Sequence, residues 1–448
     1  MKKIHILVGL IIATFLSSCS DFLDITPVGK VLPTTVEDYR ALLTDSYNQN
    51  NNNLGLIDYR SDDYTFKGGD DNAMYIEHYF WNENNGDINT IIYTYKTQYE
   101  IIFGCNQVIA AQGKMTQGTE VDENQLVAEA YALRAMVYLD LVNVFADTYM
   151  ASTASTTKSV PLVLKPEVDL NGQFNRENLS VIYSQINNDL IEAGKLMVVE
   201  QQKDKALSYR FSKVALHALK AKVGLLQGSW SNVISDANEA LVLQSSLQNV
   251  NTEKDDFLTY KSVENILSIH KIYSFPSQRN LIIASTPLNE GMSEDGSMRK
   301  EAMLFDDGKT KVMSSNEFKT TFRVPEVMLM LAEASLRLDA PDASTAKTQL
   351  KKLIEARYTP AGAATLNAKI DAMDNAALLK EVLRQRRMEL AFQGKRWVDL
   401  KRLGKPSITH EFKDDAGETR TETLLENDPR YVVKFPLEAI RLNPNLAQ

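Results

Sequence analysis

The stretch LRQRRMELAFQGKRWVDLKRLG, residues 383–404, is the most distinctive in the chain. Basic and carrying a tryptophan, it invites a nucleic-acid reading, because such binding rests on Lys and Arg set against phosphates. Its own composition argues otherwise. Leu383, Leu390, Trp397 and Leu400 supply apolar anchors, and Glu389 and Asp399 stand within reach of Arg386, Arg387, Arg396 and Arg402, with Gly394 between them. The surrounding chain is acidic, with 58 Asp and Glu against 49 Lys and Arg and a formal charge of −9. A basic run holding its own carboxylates inside an acidic protein reads as a buried or half-buried ion-pair network that ties one helix to its surroundings. Nucleic acid is not expected as a partner.

Outward from this stretch the chain is patterned as helices. Leu126, Ala130, Leu133, Val137, Leu141 and Val144 form one stripe at helical spacing, as do Leu179, Ile182, Ile186, Leu190 and Ala193. Val327, Leu331, Ala334 and Leu338 form another, in a helix opened by Pro325. Thr35 is placed to cap a short helix with Asp38 in its first turn, and Asn50 to Asn53 read as an exposed loop. Strand-like runs are scarce; the clearest are SVPLVL (159–164), ENILSIH (264–270) and YVVKF (431–435). Two segments read as antiparallel helix pairs. One is KVALHALKAKVGLLQG with SWSNVISDANEALVL, turning at Gly228; the other is EVMLMLAEASLRL with ASTAKTQLKKLIEAR, turning at Ala340-Pro341. Pairs of about 34 residues are the unit of tetratricopeptide repeats, which need stacked neighbours to cover their apolar faces. Residues 244–325 interrupt the array and read as an irregular insertion packed on the helices, since Ile266, Leu267, Ile269 and Ile272 require burial.

The N-terminus is of another kind. MKKIHILVGLIIATFLSSC places Lys2 and Lys3 before an apolar run that ends at Leu16 and small residues that end at Cys19. That is the order of a secretory signal peptide, with an apolar core shorter than the roughly 20 residues a spanning helix needs. Leu16-Ser17-Ser18-Cys19 has the order of a bacterial lipobox, so Cys19 is expected to be acylated and to begin the mature chain, anchored by lipid. An ordinary signal peptide with an incidental cysteine is the alternative. Cleavage after residue 18 would remove Lys2 and Lys3 and take the charge from −9 to −11. Cys105, the other of two cysteines, reads as a buried apolar residue, so no disulfide framework is expected.

With these segments in place, RRMELAFQGKRWVDLKRLG closely resembles the C-terminal signature of the SusD/RagB family of outer-membrane nutrient-binding lipoproteins. CSDFLDITP resembles the family's mature start, LVAEAYALRAMVYLDLVNVFADT its first long helix, and FPLEAIRLNPNL its end; SVPLVL, SVIYSQINNDLIEA and RVPEVMLMLAEA follow in order and spacing. Gln385 and Gln393 stand where the family often has glutamate, which would weaken two ion pairs. The resemblance implies a mainly α fold with tetratricopeptide-like helix pairs plus a loop-rich variable region. Its expected boundaries are a signal peptide over 1–18, a helical region over 19–243 and an insertion with C-terminal region over 244–448, packed as one globular unit. It further implies capture of an oligosaccharide or similar nutrient at the cell exterior and transfer to a SusC-like TonB-dependent transporter. In the family the repeats tend to contact the transporter and the variable part the ligand.

Sugars present apolar C–H faces ringed by hydroxyls, so their sites combine aromatic platforms with polar rims. Trp230 and Trp397 sit in helical or signature segments, which leaves Trp81. In DDNAMYIEHYFWNENNGD, Tyr75 and Trp81 are interleaved with Asn72 and Asn85, a composition suited to a polyol; the alternative is that these rings seal the core. HKIYSFPSQRN offers a second candidate through Tyr273 and Arg279. Catalysis is not expected: no Ser-His-Asp order, phosphate-cradling loop, HExxH or CxxC is present, and five scattered histidines give no zinc spacing, so neither cofactor nor metal is anticipated. Carboxylates are too many for a glycosidase pair to be read from their number. A purely structural surface scaffold is the remaining class.

Overall fold

The computed structural model describes residues 33–49, 53–66, 73–82, 93–167, 172–269, 282–313, 321–414 and 416–447. Cys19, Asn72, Asn85, Tyr273 and Arg279 lie outside the described residues.

Local capping explains where the first helices begin. α1 (Val36–Asn48) opens at a reciprocal box: Thr35 Oγ1 accepts from the Asp38 amide at 3.0 Å, and the Asp38 carboxylate accepts from the Thr35 amide at 2.9 Å. The Asn run does not continue as an exposed loop to its end. Asn53 starts α2 (Asn53–Asp58) fully buried, its side-chain oxygen accepting from the Thr94 amide at 2.8 Å and hydroxyl at 3.0 Å. β1 (Tyr64–Phe66), α3 (Ala73–Tyr79) and α4 (Tyr95–Ala110) follow. α5 (Glu120–Phe145) is capped by a second box at Thr119 and Asp122. Its predicted stripe is buried, and so are its remaining alanines with Val127 and Val142, because α4 and α6 (Leu179–Leu196) both pack on it; Val121 in the first turn is exposed.

α7 (Lys213–Gln227) and α8 (Trp230–Leu243) form the first predicted pair, joined through Gly228 in the left-handed conformation at φ 70°. The insertion supplies β2 (Asn265–Leu267), β3 (Ile282–Ala284), α9 (Thr286–Met292), α10 (Arg299–Met303) and β4 (Phe322–Arg323). α11 (Val324–Leu336), with Pro325 in its first turn, and α12 (Ala343–Arg357) form the second pair, followed by α13 (Pro360–Ala372), α14 (Asn375–Glu389) and α15 (Arg396–Arg402). The interruption of the repeats exists only along the chain. In space α11 packs on both α8 and α12, so the two pairs adjoin and the insertion is looped out from between them.

Three two-stranded antiparallel ladders complete the fold among the described residues: β1–β3, β2–β4, and β5 (Ile408–Lys413) with β6 (Thr419–Leu424), before α16 (Leu437–Leu442). Of the three runs expected to be extended, only 264–270 contributes a strand; 159–164 and 431–435 pair with no ladder. The β5–β6 hairpin was absent from the sequence reading, although Ile408, His410 and Phe412 alternate inward with exposed neighbours. One apolar core runs from Leu43 to Leu446, and a second cluster fills the space between α11, α12, α13 and α14. Cys105 lies in the first, fully buried, its thiol pushed up to about 12 by that burial. The described part is thus mainly α-helical, as expected.

Candidate functional site

Residues 383–404 run down α14, through a turn and into α15, and their charges are spent on the fold. Glu389 is fully buried and accepts from Arg299 Nε at 2.9 Å, Arg357 Nε at 3.0 Å and Arg323 Nη2 at 3.1 Å. Glu264 shares two of these, at 2.9 Å from Arg323 and 2.6 Å from Arg357. Burial alone would raise the Glu389 carboxyl; the three guanidinium groups outweigh it and hold it well below the usual range. Arg386 binds Asp399 at 2.8 Å, and Arg402 binds both Asp399 at 2.7 Å and Glu333 at 2.6 Å. Carboxylates held ionised among arginines cannot serve as a proton donor. Arg387 and Arg396 reach across to Asp63 and Asp62, each at 2.7 Å. Trp397 is fully buried, stacked on Tyr431 with ring centroids 4.7 Å apart, and its amide donates to Asp58 at 3.0 Å.

The two glutamines behave differently. Gln393 accepts from Arg323 Nε at 3.1 Å, a neutral acceptor where an anion would pair more strongly. Gln385 bonds no arginine; its amide donates to Glu381 at 2.8 Å and Tyr358 Oη at 3.1 Å. Its carbonyl oxygen and both terminal nitrogens of Arg299 are buried without hydrogen-bond partners, and both side chains lie against Tyr358.

Described residues that border the two stretches expected to meet a sugar adjoin one another. Phe66, the last residue of β1, pairs with Ile282, the first of β3. The last described residue before position 67 is therefore beside the first described residue after position 281. Tyr75 and Trp81, by contrast, are corrected by the structure. They are 4% and 1% exposed, so neither presents a ring face to solvent. Trp81 follows α3 in the left-handed region at φ 59°, donates its indole N–H to the Arg60 carbonyl at 2.9 Å, and stacks on His410 with centroids 4.3 Å apart. His410 stacks on Tyr79 at 3.9 Å on its way out of β5, and burial pulls its pKa down to about 4. The rings seal the core.

The described surface also carries a cleft of about 570 Å³. Tyr95, Tyr99 and Phe103 on one face of α4 form a wall, with Tyr93 beside them; Pro161, Val163 and Phe174 form another, and α16 with Leu446 closes the third side. Tyr99 is fixed by donating to the Pro161 carbonyl at 2.8 Å. Its rim carries Lys96, Glu100, Glu167, Glu438 and Asn443.

With the geometry in hand, comparison with known proteins is direct. Residues 21–225 match a family model described as "Starch-binding associating with outer membrane", and residues 277–448 match the model of the SusD family. The chain belongs to the SusD/RagB family. Solved SusD/RagB structures share its fold over nearly their whole length. A SusD superfamily protein from Bacteroides fragilis aligns with TM-score 0.74 at 22% identity, over 93% of this chain and 99% of that one. One from Bacteroides thetaiotaomicron aligns with TM-score 0.73 at 18% identity, over 92% and 99%. A laminarin-binding SusD-like protein aligns with TM-score 0.66 at 18% identity, over 92% and 98%. No curated protein matches the chain.

The cleft of this SusD/RagB chain escaped the sequence reading. Tyr95, Tyr99 and Phe103 recur every fourth residue, which is a legible helical face, but its other walls come from Pro161, Val163 and Phe174 and from the C-terminal residues Pro436 to Leu446. Among the described residues no helix is long and apolar enough to cross a membrane.

Proposed function

We propose that this chain is a lipid-anchored protein of the outer-membrane exterior that binds an oligosaccharide and hands it, unchanged, to a SusC-like TonB-dependent transporter. The observation that carries the ligand assignment is the Phe66–Ile282 pairing, which brings the described residues before position 67 and after position 281 together, next in sequence to the stretches that carry Asn72, Tyr273 and Arg279. Asn72, Asn85, Tyr273 and Arg279 are the proposed contacts; Tyr75 and Trp81 are buried in the core. Family membership and a starch-binding description support a glycan as ligand, and a laminarin-binding relative of the same fold makes β-glucans a sensible probe. The lipobox supports acylation at Cys19, and the family supports delivery to a transporter.

Calorimetry of the full chain against laminarin and starch oligosaccharides, with chromatography of the sugars afterwards, tests this. Binding without shortened products is expected, and Tyr273→Ala with Arg279→Ala should weaken it roughly ten-fold, the loss of one stacked ring and one hydrogen-bonding group, at unchanged Tm. Shortened sugars would make it an enzyme. Absence of binding to glycans and peptides alike would leave the scaffold. Mass spectrometry of the native N-terminus checks Cys19.

A further inference from the structure

We propose that the aromatic cleft lined by α4, by Pro161, Val163, Glu167 and Phe174, and by α16 is a docking groove for an extended segment of a partner polypeptide that carries apolar anchors next to basic side chains. An oligosaccharide brings several hydroxyls per ring, each needing a partner once desolvated. Here the walls are Tyr95, Tyr99, Phe103, Phe174 and Leu442, with the charged groups at the rim. Such walls seat apolar side chains without unpaired hydroxyls, whereas a sugar would draw its partners from the rim.

Three further observations select the occupant. First, the apolar surface does not stop at the cleft: Phe174 is 38% exposed, Leu442 69%, and Leu164 and Leu437, next to lining residues in the chain, 39% and 50%. A surface that continues past the mouth suits a chain laid along it better than a compact small molecule. Second, the rim is negative. Glu100 is paired with Lys96 at 3.5 Å, whereas Glu167 and Glu438 have no ion pair among the described residues. Carboxylates beside aromatic faces attract Lys or Arg through both charge and ring. Third, the walls are tied to each other: Asn443 donates its amide to the Phe174 carbonyl at 2.8 Å and Gln173 donates to the Leu442 carbonyl at 3.2 Å, so the groove is formed before a chain enters it.

The test uses the full chain and two dye-labelled blocked peptides, acetyl-Phe-Leu-Lys-Lys-amide and acetyl-Phe-Leu-Glu-Glu-amide, followed by fluorescence polarisation. The basic peptide should bind roughly ten-fold tighter than the acidic one, as two exposed charge contacts allow. Glu167→Gln with Glu438→Gln should erase that preference. Phe103→Asp should abolish binding of both; Leu442→Asp, at a more exposed position, should do the same without risk to the core. Laminarin oligosaccharides should not displace the peptide, which separates this groove from the glycan loops: glycan binding can fail while peptide binding stands, and the reverse. Absence of binding, equal affinity for the two peptides, survival of binding in Leu442→Asp, or displacement by the sugar would each overturn the proposal.

Discussion

At the scale of single residues, the same side chain type serves opposite ends depending on what it meets far along the chain. Trp81 sits in a polar, aromatic stretch that reads as a ligand platform, yet its indole is enclosed by His410 and the Arg60 carbonyl, both placed by the tertiary fold. Trp81→Ala should therefore lower stability by about 3–5 kcal/mol, as for other large buried aromatics, in denaturant titrations; an unchanged midpoint would return the ring to the surface. Asp58 offers a pH signature. Burial, followed by the neighbouring Asp63, pushes its pKa up to about 7, while the Trp397 amide and Tyr64 hydroxyl partly oppose this. The folded state then holds its proton more tightly than the unfolded chain, whose value is near 3.9. Stability from this group is present at low pH and is lost as pH rises from about 4 to about 7. Asp58→Asn, which keeps the acceptor oxygen, should gain about 2 kcal/mol relative to the parent between pH 5 and pH 8 in urea titrations. A pH-independent difference would exclude Asp58 as the titrating group.

At the scale of elements, legibility followed the range of the interactions. The α5 stripe, the Thr35 box and the Gly228 turn are set by neighbours within one or two helical turns, and each was readable. The β5–β6 hairpin was not, because helical periodicity dominates the chain and only three inward residues mark β5. The cleft could not be read, since its walls are brought together from separate parts of the sequence. Gly394 shows how a local letter can record a long-range need. It lies at φ 70°, and a Cβ there would come within 2.9 Å of the Leu54 carbonyl carbon in α2. Gly394→Ala combines left-handed strain with a clash against backbone, and should cost more than about 1 kcal/mol, the typical penalty of forcing a Cβ into that region. Gly228→Ala, whose Cβ would meet nothing nearer than 3.7 Å, carries the strain alone and should cost less in the same thermal melts. Equal effects would show that the α2 contact is unimportant.

At the scale of the whole molecule, the boundary at residues 243 and 244 divides the sequence but not the charge network. Arg387 and Arg396 close on Asp63 and Asp62, Trp397 hangs on Asp58, and the His410 ring lies between the Tyr79 carbonyl, 2.8 Å from Nδ1, and the Ser61 carbonyl, 3.0 Å from Nε2, donating to one of them when neutral. Lys401 reaches back to the C-terminal carbonyls of α5, Asn143 and Ala146, each at 2.7 Å, and Val433 donates to Val144 at 3.1 Å. Leaving one member of a buried ion pair alone costs about 3–5 kcal/mol, and an entire domain is stable by only about 5–15 kcal/mol. Cutting the chain between 243 and 244 strips partners from several such groups at once, in addition to exposing the shared apolar core. Neither 19–243 nor 244–448 expressed alone should show a cooperative unfolding transition, while co-expression of the two should restore one. A sharp, independent melt from either fragment would mean that the acidic pocket around Asp58 to Asp63 is stable without its arginines, and that the signature stretch decorates the fold instead of closing it.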